Sequence, residues 1–163
     1  MNDSSQAAPG SIETRARTAH RRATIIVGAI TGSLFVYAAL VEVLSRTNAV
    51  EAGPASPEAV RWAFYAIAVS MVFASHVVKA FMLRGARAGG VDELLARLTT
   101  ANVVTAAIAE TPAILGFVLF FISRRYYSDF YILALISLYL LVRHFPRYGQ
   151  WERMIRESAT EAG

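Results

Sequence analysis

Glu110 is the residue of this chain placed most tellingly for chemistry. It stands about ten residues into the apolar stretch from Thr100 to Ile122, so on a helix it lies roughly 15 Å from the start of that stretch. A charge that deep in lipid costs about 2.5–3.5 kcal/mol on insertion scales. Such a carboxyl group either takes up a proton or meets a donor or cation inside the protein. On a 100° helical wheel Ala106 and Ala113 fall within about 60° of it, so it sits in a groove of small residues. Pro112, two residues on, removes a backbone hydrogen bond beside it. A titrating carboxyl group at a weakened point of a helix suits proton or cation binding. The same group, neutral and hydrogen-bonded across helices, would serve as packing glue.

The other reactive side chains exclude more than they suggest. There are 3 histidines and no cysteine in 163 residues. Disulfides, thiolate metal sites, iron–sulfur clusters and thiol nucleophiles are therefore ruled out. The histidines, at 20, 76 and 144, are too scattered to suggest a metal site. No nucleophile–base set and no phosphate loop is present, so the chain reads as non-enzymatic, with no cofactor and no metal. His76 lies about seven residues from the inner end of its apolar run, or roughly 10 Å deep. A His76–Glu110 pair is open on depth alone, although the wheel turns His76 away from the face expected to meet Glu110. Lys79 is expected to snorkel to lipid headgroups, and Glu42 to pair with Arg124 and Arg125.

The elements that must hold Glu110 are membrane spans. Hydrophobic residues make up 55% of the chain and charged residues 17%, against about 45–50% and 25% in soluble domains. A soluble protein this small cannot hide so much apolar surface. With about 20 apolar residues per crossing, spans are expected at about 23–44, 62–83, 100–122 and 126–142. Residues 1–22 read as a cytoplasmic tail whose first dozen residues are disordered. Residues 143–163 read as a cytoplasmic amphipathic tail, with Tyr148 and Trp151 as interface anchors. Ser56, Pro57 and Glu58 form an N-terminal signature for the second span. The expected fold is an all-α integral membrane protein, a four-helix bundle.

Arginines set its orientation. They cluster before span one (Arg15, Arg17, Arg21, Arg22), between spans two and three (Arg84, Arg87, Arg97) and after span four (Arg143, Arg147, Arg153, Arg156). Both termini are thus expected in the cytoplasm, with Arg124 and Arg125 as a dissenting outer pair. The net charge of +4 sits in blocks flanking the spans, which argues for a lipid bilayer as partner and against nucleic acid. The placement expected is multi-pass in the inner (plasma) membrane.

Small residues point to helix packing. Gly28 and Gly32 make a GxxxG pair in span one, and Ala66, Ser70 and Ala74 recur at i, i+4 in span two. These are expected to pack within the bundle or to join copies into a homo-oligomer.

Residues 107 to 117 read Ala-Ile-Ala-Glu-Thr-Pro-Ala-Ile-Leu-Gly-Phe. This segment resembles the second helix of the proteolipid c subunit of rotary ATP synthases. Spans two and three, with their basic loop, resemble that family's hairpin. The resemblance implies that Glu110 is a proton-binding carboxylate whose site is shaped by Ala109, Pro112, Ala113 and Gly116. Spans one and four lie outside the matched hairpin, so it implies a c-subunit-like protein rather than a standard rotor subunit. Two functions follow as expectations: binding or movement of protons or cations through Glu110, or a structural or assembly role in which Glu110 only packs.

Overall fold

The computed structural model describes residues 9–47, 58–84, 90–123 and 127–161. They form five helices: α1 (Pro9–Arg46), α2 (Glu58–Leu83), α3 (Gly90–Ser123), α4 (Tyr127–His144) and α5 (Tyr148–Glu161). No strand occurs among the described residues. Helices α1, α2 and α3 are each long and apolar enough to cross a membrane. The fourth candidate is the pair α4 and α5, bent by 41° between them. The break falls at Pro146, which has no N–H to continue α4 and disfavours helix in the residue before it. The Ser56–Pro57 signature, Arg87, and the Arg124–Arg125 pair lie outside the described residues.

Many large apolar side chains face outward, among them Phe35, Phe73, Phe81 and Leu135. Several polar ones are buried, including Ser75, Thr105, Asp129 and Ser137. This inverted distribution matches lipid as the surrounding medium.

Helix α3 is the axis of the bundle, packed against α4, α2 and α1. Its face toward α4 is made of small residues. Ala106, Ala109 and Ala113 are fully buried. At Gly116 a Cβ would come within 3.1 Å of the Phe130 Cα and of the Leu133 Cβ. The glycine is what lets the two backbones approach.

The packing stripes expected on α1 and α2 lie elsewhere. A Cβ on Gly28 or Gly32 would meet nothing within 4 Å, so the GxxxG pair faces outward and holds no seam of this bundle. Ala66 and Ser70 are likewise exposed, and Ala74 is half-buried. The inward face of α2 instead carries Arg61, Tyr65, Ala68, Val72 and Ser75, with Ala68 and Ser75 fully buried. Small size favours close packing but does not choose a face. Here polar residues that need partners turn the helix.

The N-terminal ends of α1 and α3 project past a bilayer's width. At 38 and 34 residues they measure about 57 and 51 Å, against a hydrocarbon core of roughly 30 Å. Their surplus turns join α5 in a small head. Ala16, Ala23, Leu94, Leu95, Leu98 and Trp151 form its core. The chain is helical from Pro9, and residues 1–8 of the tail expected to be disordered lie outside the described residues. One expectation is corrected. Trp151 is 2% exposed, so it is a core residue of the head, not a lipid anchor. Arg15 binds Asp92 through two 3.0 Å contacts and ties α1 to α3. His20 lies 3.2 Å from the Pro146 carbonyl and edge-on to Tyr148 and Trp151.

Candidate functional site

Helices α1 and α3 run side by side in one register. Arg15 meets Asp92 and Ser33 meets Glu110, each pair 77 residues apart in sequence. Ser33 lies about five turns beyond Arg15, which returns it to the same face of α1. Tyr37 follows one turn later on that face. The fold thus brings two hydroxyl groups to Glu110. Ser33 Oγ is hydrogen-bonded to Glu110 Oε1. The Tyr37 hydroxyl donates to the same oxygen at 3.0 Å. The Tyr37 ring also stacks, tilted, on Phe117, with centres 5.2 Å apart.

The hydrogens of this cluster can be counted. Ser33 Oγ is also 2.6 Å from the Ile30 carbonyl. A serine hydroxyl has one hydrogen, yet it faces two oxygens that only accept when the carboxyl group is ionised. Tyr37 supplies its own hydrogen. One more is needed to satisfy every contact. No Lys, Arg or His lies within ion-pair distance of Glu110 among the described residues.

The backbone beneath the carboxyl group is supported from α4. Pro112 has no N–H to give to the Ile108 carbonyl. Ser137 Oγ accepts the Ala113 N–H at 2.8 Å and donates to the Glu110 carbonyl at 3.3 Å. Ala109 and Ala113 are fully buried next to Glu110, and Gly116 holds α4 close. The small residues named for the site from sequence therefore seat the carbonyl side of Glu110 on α4, while α1 covers its carboxyl group.

His76 is not part of this site. Its Nδ1 is 2.8 Å from the Val72 carbonyl, and its Nε2 accepts from Arg143 of α4 at 3.2 Å. Lys79 lies half-buried on the bundle-facing side of α2. Glu42 binds Arg46 at 2.5 Å and accepts from the Tyr127 hydroxyl at 2.6 Å. At the N-terminal ends of α2 and α4, Arg61 and the fully buried Asp129 form an ion pair at 2.6 Å that joins the two helices, with the Tyr65 hydroxyl 3.0 Å from the carboxylate.

Sequence reasoning missed Ser33, Tyr37 and Ser137. A signal for the first two was present. They are polar residues one turn apart in an otherwise apolar run, at the depth of Glu110. Ser137 was hidden, because its role depends on the register of α4 against Pro112.

Among the described residues no group of three or more His, Cys, Asp or Glu gathers to hold a metal ion. The oxygens of Glu110, Ser33 and Tyr37 suit a proton or one small cation. No protein-family model, curated protein or solved structure matches this chain.

Proposed function

We propose that this is a four-span membrane protein with both termini in the cytoplasm, in which Glu110 binds and releases a proton at mid-membrane. The observation that carries the reading is the hydrogen count at Ser33. Three contacts converge there and on Glu110 Oε1, and the two hydroxyls supply only one hydrogen each. A proton on the carboxyl group completes the set and removes the cost of a mid-membrane charge. Ionising Glu110 breaks that set, so the group has two states with different fits to α1. The likeness of residues 107 to 117 to the proteolipid carboxylate helix supports the same chemistry. Here, however, α1 covers the carboxyl group, which argues for a self-contained unit over a standard rotor subunit.

The competing reading makes Glu110 a permanent clamp between α1 and α3. What favours it is the outward turn of Gly28 and Gly32, which leaves the α1–α3 seam without a glycine contact. Difference titration separates the two. In detergent, wild-type protein should bind one more proton than Glu110→Gln over the accessible pH range. Superposable titration curves would leave the clamp as the reading.

A further inference from the structure

The inner ends of α2 and α4 carry a second polar cluster that Glu110 does not use. Arg143, in the last turn of α4, donates from Nε to His76 Nε2 at 3.2 Å and from Nη1 to the Tyr139 hydroxyl at 3.1 Å. With Nε2 accepting, His76 Nδ1 carries the ring hydrogen and gives it to the Val72 carbonyl. His144 stacks edge-on to His76, ring centres 4.9 Å apart, and its Nε2 is 3.4 Å from Ser75 Oγ. Lys79 follows Ser75 by one turn on the same face of α2.

Every partner of Arg143 here is neutral. Among the described residues no Asp or Glu lies within 4.0 Å of Arg143 or Lys79. Two cations thus stand on the two helices that carry the His76–His144 pair with no carboxylate beside them, and the remaining N–H groups of Arg143 have no described partner. The flanks are apolar and outward-facing: Phe73 and Val77 on α2, Tyr139 and Val142 on α4, all more than half exposed. The contact between α2 and α4 is sparse and is made at this end by the His76–Arg143 and Ser75–His144 pairs.

We propose that this cluster binds an anionic phospholipid, its phosphate held by Arg143 and Lys79 and its acyl chains lying on the exposed apolar side chains beside it. Phosphate answers the unmatched charge through the guanidinium fork. The apolar flanks select a lipid over a free anion, and basic pockets between spans on the cytoplasmic side are the usual place for such headgroups. The inference rests on the membrane topology proposed above and is independent of Glu110.

The test is native mass spectrometry of the full chain released from nanodiscs of equal phosphatidylglycerol and phosphatidylcholine. Wild type should retain phosphatidylglycerol preferentially, and Arg143→Gln and Lys79→Gln should each weaken that retention about fivefold. Arg17→Gln, an exposed control already paired with Glu13, should behave as wild type. A thermal melt of wild type alone should show greater protection by phosphatidylglycerol than by phosphatidylcholine, which keeps the test intact if a variant folds poorly. Equal retention of the two lipids by wild type, or full retention by Arg143→Gln, overturns the proposal. So does inorganic phosphate that protects protein in phosphatidylcholine discs as well as phosphatidylglycerol does. Failure of the topology is read separately, by labelling of a cysteine placed at Gly163. A tail labelled from outside sinks the orientation while the lipid preference still reports on the cluster.

Discussion

At the scale of the residue, Glu110 depends on what α1 brings to it. Its two partners are neutral hydroxyls, and interhelical hydrogen bonds of this kind average about 0.6 kcal/mol, with a maximum near 1.7. Tyr37→Phe should therefore destabilise the protein by about that much, read from thermal or steric-trapping unfolding in detergent. In a Glu110→Ala background the same change should cost nothing, because its partner is gone. Equal losses in both backgrounds would mean that the Tyr37 hydroxyl is not stabilised by Glu110. The carboxyl group itself was legible in the sequence, since a charge within an apolar run announces itself. Its partners were less so. Ser33 and Tyr37 are individually ordinary, and only the register of α1 against α3 brings both hydroxyl groups to Glu110. His76 shows the reverse. Its depth suited a pair with Glu110, but its Nε2 accepts from Arg143 of α4 instead.

At the scale of the element, two kinds of glycine separate. Gly116 lets α3 lie against the backbone of Phe130, whereas Gly28 and Gly32 face outward. Gly116→Ala should destabilise by about 1–3 kcal/mol, the usual cost of overpacking against atoms that cannot give way. Gly28→Ala should be neutral or stabilising by up to about 1 kcal/mol, from helix propensity alone. Thermal denaturation of the two variants in one detergent checks the contrast, and the reverse order would place the bundle's seam on α1. The spans were readable because long apolar runs have few alternatives. The faces were not, because a stripe of small residues looks the same whether it meets a helix or lipid. On α2 the decision falls to Arg61 and Ser75, which turn inward to Asp129 and His144. Sequence periodicity alone gives no weight to such partners.

At the scale of the whole molecule, the described helices form an inverted bundle, polar at a few interior points and apolar outside, capped by a head in which Trp151 is buried. The head was hidden from the sequence because α5 reads as a surface helix until α1 and α3 are known to overrun the bilayer. The orientation rests on the arginine distribution, and the absence of native cysteine makes it simple to test. In intact cells an impermeant maleimide should label Ala52→Cys, and should label Gly163→Cys only after lysis. The opposite pattern would invert the topology. The central claim is that Glu110 is a titrating carboxyl group in an apolar setting. Hydrophobic carbodiimides react with protonated carboxyl groups in such settings, and Asp129, held by Arg61, serves as the internal comparison. Peptide mapping of carbodiimide-treated protein in membranes, across a pH series, should find the adduct on Glu110, falling as pH rises, with Asp129 spared throughout. An unlabelled Glu110 at every pH, in protein that remains folded, would contradict the account.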